Sequence, residues 1–178
     1  MRIVGEKIVL RALESVDNNM LLELLNDPHT EEMVGGSSFP TSAEEQARWF
    51  ANLYNEKNVL RCAVATKENI ENAIGTVILS DINYKNGTAQ IHIKMSSGNR
   101  KRGYGTDALM AMAKYAISEL RLHCIYAEVL ENNDASQKMF EKCGFIKEGK
   151  LRDRVFKKGK YMNYISYSMV QGEDSYDK

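Results

Sequence analysis

Neither charge sign dominates this chain: Lys plus Arg number 24 and Asp plus Glu number 24 across 178 residues. Proteins that coat nucleic acid or an anionic membrane carry a basic surplus, so neither is expected as a partner. No stretch approaches the roughly 18 apolar residues of a membrane span. The opening "MRIVGEKIVLRALESVD" is charged throughout and lacks the apolar stretch of a secretory signal. Only two prolines occur, Pro28 and Pro40, and no Ser/Gly/Pro-rich linker, repeat or low-complexity run divides the sequence. One domain over residues 1–170 is expected, with "QGEDSYDK" (residues 171–178) as a solvated tail. Cys62, Cys124 and Cys143 stand far apart with no CxxC spacing. So sparse and odd a set argues against a disulfide frame or a metal site and for free thiols in a reducing compartment, the cytoplasm by default.

What is there is patterned. "KIVLRAL" (residues 7–13) alternates apolar and polar residues as a strand does. Met20, Leu21, Leu24 and Leu25 recur at helical spacing behind Asp17, a candidate N-cap, and Pro28 should stop that helix. A second helix is expected near "PTSAEEQARWF", where Thr41 and Glu44 have capping-box spacing and Ala47, Phe50 and Tyr54 share a face. "VLRCAVAT", "AIGTVILSDINY" and "TAQIHIKM" read as three strands, the last two joined by Asn86-Gly87 as an antiparallel hairpin. A helix from Tyr104 to Leu120 follows, with an apolar stripe of Leu109, Met112, Ala113, Ala116, Ile117 and Leu120. "CIYAEVL" is a strand and "NDASQKMFEKCGF" a short helix closed by Gly144. Two strands, near "KLRDRVF" and "KYMNYISYSMV", flank a "KKGK" turn. The order β-α-α-β-β-β-α-β-α-β-β gives an α/β fold with a mixed, mostly antiparallel sheet and one parallel pair made by the crossover from Thr88 to Leu130.

Between the last hairpin strand and the long helix lies "NRKRGYGTDAL" (residues 99–109). Glycines before a helix N-terminus let a ligand approach unpaired backbone N–H groups, and Arg100, Lys101 and Arg102 add positive charge. A diphosphate suits such a loop; a basic turn that merely caps a helix suits it equally. A Walker loop is excluded because Thr106-Asp107, not Lys-Ser/Thr, follows Gly105, and a dinucleotide fingerprint fails at Ala108.

Arg100 to Gly105 resembles the R-x-x-G-x-G/A signature of GNAT-superfamily N-acetyltransferases. "AEVLENNDASQKMFEKCGF" is similar to that family's second conserved block. "KEGKLRDRVFKKGKYMNYISYSM" and "GEKIVLRALESVD" resemble the ends of the branch holding ribosomal-protein and spermidine acetyltransferases. The resemblance spans nearly the whole chain. It implies a GNAT-like sheet flanked by helices with a central parallel pair, acetyl-CoA as cosubstrate, no metal, and often a homodimer. It also implies that backbone amides around Arg100, Lys101, Arg102, Gly103, Tyr104, Gly105 and Thr106 hold the pyrophosphate. By the same resemblance Ile93 and Met95 pair with the pantetheine arm, and Met95 N–H faces the thioester oxygen. Asn133, Ser136 and Phe140 then fall on the cofactor side, although Asn and Ser also suit the first turn of any helix.

An amine of lysine-like pKa (~10.4) is almost wholly protonated at pH 7, so a base must take its proton. Glu128, five residues before Asn133, is the first candidate by resemblance, with burial expected to raise its pKa. His92 is the second, because Gln90 occupies a position where relatives often carry glutamate. Phe140 stands where many relatives place a proton-donating tyrosine; water or another tyrosine such as Tyr104 would replace it. The acceptor pocket is expected between the N-terminal helices and the terminal hairpin, with Gly35-Gly36-Ser37-Ser38 a flexible loop and Phe39, Trp49 and Phe50 either walls or core. The acceptor is a small amine such as a polyamine, an amino sugar, or a protein N-terminus. Two other functions compete: an acetyl-CoA-binding regulatory domain without catalysis, and an RNA surface built from Asn99 to Arg102 with Lys157, Lys158 and Lys160.

Overall fold

A computed structural model describes residues 1–36 and 39–172. Ser37-Ser38 of the expected loop and residues 173–178 of the expected tail lie outside them. Eight strands form one sheet: β1 (Ile3–Val4), β2 (Ile8–Arg11), β3 (Leu60–Thr66), β4 (Ala73–Asn83), β5 (Thr88–Met95), β6 (Cys124–Leu130), β7 (Ile146–Lys157) and β8 (Lys160–Val170). Their order is β1-β2-β3-β4-β5-β6-β8-β7. Among the described residues five α-helices accompany them: α1 (Asn18–Asn26), α2 (Pro28–Met33), α3 (Ala43–Ala51), α4 (Tyr104–Ser118) and α5 (Asp134–Lys142). The sheet is antiparallel except for β5 and β6, joined by the crossover through α4. The expected mixed sheet is therefore observed, and β4 to β6 fall within a residue of their sequence-derived limits.

Three expectations need correcting. Pro28 does end α1, but it also occupies the first turn of α2, where its missing N–H is no loss. Asp27 caps α2, its carboxylate accepting from Thr30 N (3.1 Å) and Thr30 Oγ1 (2.6 Å). Asp17 sits at the N-cap of α1 but makes no capping hydrogen bond. Its buried carboxylate instead accepts both Arg11 guanidinium nitrogens, at 2.7 and 2.9 Å, and Glu14 N at 2.9 Å. The capping box of α3 is Ser42 with Glu45, one residue beyond Thr41 and Glu44, because the chain enters the helix one residue later. Gln46 is buried there, and Ala47, expected on the inner face, is exposed.

Leu109, Met112, Ala113 and Ala116 of α4 are buried against Leu10, Val64, Val77, Leu79 and Ile91 on one face of the sheet. Gly87 (φ +66°) supplies the left-handed turn of the β4–β5 hairpin. At the end of α5, Gly144 N donates to Glu141 O and Phe145 N to Phe140 O, both at 3.0 Å, closing the helix and seating Phe145 under it.

Candidate active site

The site exists because two parallel strands part. β5 and β6 are paired only at Thr88–Cys124, Ala89–Ile125 and Gln90–Tyr126, yet they run on to Met95 and Leu130. Beyond Gln90 they diverge. Ser96 N donates to Ile74 O at 2.9 Å, which fixes the alternation of the β4–β5 ladder. Lys94 and His92 turn their main-chain groups toward β4, so Ile91, Ile93 and Met95 turn theirs toward the opening.

At its mouth stands the glycine loop. Gly103, with φ +84°, is the N-cap residue of α4. A Cβ there would meet only Lys7 Nζ, 3.5 Å away, so strain and not crowding restricts the position. At Gly105 space itself is limiting: a Cβ would lie 3.3 Å from Met139 Sδ and 3.5 Å from Met95 Cγ. Asp107, in the first turn, fastens the loop to the β1–β2 turn by accepting from the main-chain nitrogens of Glu6 (2.9 Å), Lys7 (2.7 Å) and Ile8 (3.0 Å).

Two clefts follow the opening. The first, about 360 Å³, is bordered by Ile93, Met95, Arg100, Lys101, Gly103, Gly105, Thr106, Asn133 and Ser136 among the residues singled out in the sequence. The second, about 150 Å³, is bordered by His92, Ile93, Glu128, Asn133, Ser136 and Phe140. Arg102 and Tyr104 border neither, and Tyr104 packs against the core.

Several side chains differ from expectation in their surroundings. Arg100 is committed to neighbours: its Nε donates to Met95 O (3.1 Å) and its Nη2 to Asp27 Oδ2 (3.2 Å) and Thr30 Oγ1 (2.7 Å). It ties the glycine loop to α2. The Thr30 hydroxyl above all, with Thr30 N and then Arg100, holds the Asp27 carboxyl below its ordinary pKa. Asn133 caps α5, accepting from Ser136 N at 3.1 Å, while its Nδ2 donates to Met33 O at 3.0 Å. Glu128 is exposed, so the burial expected around it is absent; no hydrogen bond or ion pair holds it among the described residues. His92 keeps an exposed edge and its Nε2 lies 2.9 Å from Ser80 Oγ. Surrounding protein lowers its pKa first, and the Lys94 cation lowers it further.

Phe140 is buried at the floor of the second cleft, edge-on to Phe145 (centroids 5.0 Å) and stacked on Tyr167 (6.0 Å). Tyr167 borders neither cleft: it is fully buried, its pKa is pushed up to about 12 by that burial, and its hydroxyl donates to Glu141 Oε1 at 2.9 Å. Two cleft residues escaped sequence reasoning, Tyr164 on β8 and Lys94 on β5; as a strand tyrosine and a strand lysine they carried no distinguishing signal. Tyr164 reaches over from the terminal hairpin, and a Cβ on Gly35 would overlap its hydroxyl. The end of α2 and this tyrosine wall the second cleft, whereas Phe39 is exposed and Trp49 lies under Arg61 (5.6 Å). Glu31 pairs with the buried Lys157, Glu32 with Lys158 (2.6 Å) and Asp27 with Arg100, so three of the six cations of the suspected RNA surface already have carboxylate partners.

Comparison with known proteins agrees with this geometry. Residues 7–146 match the family described as the acetyltransferase (GNAT) domain. The chain is 28% identical to the SPbeta prophage-derived uncharacterized N-acetyltransferase YokL of Bacillus subtilis, covering 95% of this chain and 93% of that protein. It is 27% identical to spermidine N(1)-acetyltransferase of Vibrio cholerae, covering 96% of each. The crystal structure of spermidine N-acetyltransferase from V. cholerae in complex with CoA and spermine superposes with a TM-score of 0.86 at 25% identity, covering 94% of this chain and 97% of that one. With the glycine loop, the parted strands and the match over most of its length, this chain belongs to the GNAT acetyltransferases.

Proposed function

We propose that the protein transfers the acetyl group of acetyl-CoA to a primary amine by direct attack within one ternary complex. The observation that carries this is the opening between β5 and β6, with the glycine loop at its mouth and titratable groups at its far end. Acetyl-CoA supplies an acetyl group already activated as a thioester. The residues present suit it. The first cleft has cationic Lys101 and the free N–H groups of the α4 N-terminus at one end, which fit a pyrophosphate. The backbones of Ile93 and Met95 along its wall fit the amide-bearing arm in the manner of an added strand. Arg100 holds the loop in place, and Asn133 holds α5 against α2.

Glu128 meets the amine on the second side and takes its proton, directly or through a water. His92 is the alternative acceptor: its pKa is shifted down, the direction that favours the neutral ring able to take a proton. Tyr164, not Phe140, offers the hydroxyl from which a departing thiolate can draw a proton. Burial first, then Glu128, raises its pKa, so it stays protonated throughout the neutral range.

The test is release of free CoA thiol from acetyl-CoA across polyamines, amino sugars, amino acids and short peptides. Turnover of any amine supports the assignment. Bound acetyl-CoA with no turnover on the whole panel would instead favour a binding domain.

A further inference from the structure

Two opposite charges border the second cleft and do not neutralise each other. Tyr126 pairs with Gln90, so Glu128 on β6 and Lys94 on β5, both an even number of residues further along, project from the same face of the sheet. Both border the second cleft. No hydrogen bond or ion pair engages either side chain among the described residues, with each other or with anything else. Six residues border both clefts (Met33, Val34, Ile93, Lys94, Asn133 and Ser136), and only Lys94 is charged. Lys94 is therefore the charged residue at the junction where acetyl donor and acceptor must meet.

Building on the acetyltransferase assignment, we propose that the acceptor is a small zwitterion, an amino acid or close analogue. Lys94 would bind its carboxylate and Glu128 its ammonium. Three features of the site favour this over a polyamine. Lys94 is half-buried with no anion beside it, and that desolvation, followed by the Lys157 cation behind it, holds its pKa below the usual lysine value. An incoming carboxylate provides the missing counter-ion, whereas a second ammonium on the acceptor meets like charge. The pair also complements the two opposite charges of an amino acid, and at about 150 Å³ the compartment suits a molecule of that size.

The reaction balances simply. The ammonium gives one proton to Glu128, and the freed amine forms the N–C bond as the C–S bond breaks. The nitrogen then sheds its second proton; of the two, one ends on the CoA sulfur and the other in solvent.

Amino acids and their amides form matched acceptor pairs, with spermidine as the polyamine reference. Amidation also lowers the basicity of the amine, which by itself favours the amide, so a preference for the acid reports the carboxylate. The expected result is a kcat/KM for the best amino acid roughly 10- to 100-fold above that of its amide, the range of a charge-assisted hydrogen bond. K94M should abolish that preference and K94R should keep it. In parallel, calorimetry on the wild-type protein saturated with CoA should show the N-acetyl amino acid binding more tightly than its N-acetyl amide. Equal use of acid and amide, better use of spermidine, or a preference that survives in K94M overturns the proposal and leaves the acetyltransferase assignment standing. If no acceptor turns over, the calorimetric pair decides: equal affinities overturn it. Failure to bind acetyl-CoA at all removes the assignment on which it rests.

Discussion

Asp107→Ala tests whether the glycine loop is held by the hairpin beneath it. One carboxylate accepts three consecutive main-chain N–H groups, those of Glu6, Lys7 and Ile8, at 2.7 to 3.0 Å. The groups are not equivalent once it is gone. Glu6 and Lys7 are exposed and can turn to water, so each loss is about 0.5 kcal/mol, the low end for a hydrogen bond. Ile8 is buried, and its stranded N–H carries a desolvation penalty of about 1–3 kcal/mol. Loss of an acidic residue from the first turn of α4 adds about 0.3–1 kcal/mol. The total is about 2–5 kcal/mol, read as a lower midpoint at unchanged slope in urea denaturation. Asp107→Asn keeps an acceptor and should lose less. The same change frees the segment that carries Lys7 beside Gly103, so acetyl-CoA affinity should fall as well. An Asp107→Ala midpoint within experimental error of wild type would show that the hairpin does not depend on this carboxylate.

Three further outcomes are expected. Tyr164→Phe should lower kcat about 100-fold or more while leaving KM for acetyl-CoA near wild type, as loss of a proton donor does; an unchanged kcat would remove Tyr164 from the chemistry. Glu131 accepts from Asn163 N and Nδ2 and from Lys150 Nζ, and Asn163 above all holds its pKa down to about 2. A depressed carboxylate stabilises the fold above its unfolded pKa and loses that contribution as pH falls, here from the ordinary carboxylate range toward about 2. Carboxyl NMR titration reads it directly, and a midpoint above 4 would contradict the geometry. Burial raises the Cys62 and Cys143 thiols to about 11, so both should resist a thiol reagent at pH 8 in the native protein and react once it is unfolded. Fast native labelling of either would refute their burial.

Local pattern was enough for much of this molecule. Alternation marked β2, Asn86-Gly87 marked the β4–β5 hairpin, and Gly144 marked a helix end, because each depends on neighbours within a few residues. The glycine loop was legible for the same reason, its chemistry being that of a helix N-terminus. The six-residue α2 was missed because it is too short to show a period and because Pro28 reads as a stop from one side and a start from the other. The position of Asp17 was legible, but not its partner Arg11. Tertiary structure alone decided the rest. Arg100 was legible as a cation of the glycine loop, but its bonds to Asp27 and Thr30, 73 and 70 residues earlier, were not. Glu128 looked buried until the parted strands exposed it. Nothing adjacent in sequence sets Lys94 apart from any other strand lysine. The parting of β5 from β6 gives it a place at the junction of two clefts, with no counter-ion, and only a folded sheet can create that condition.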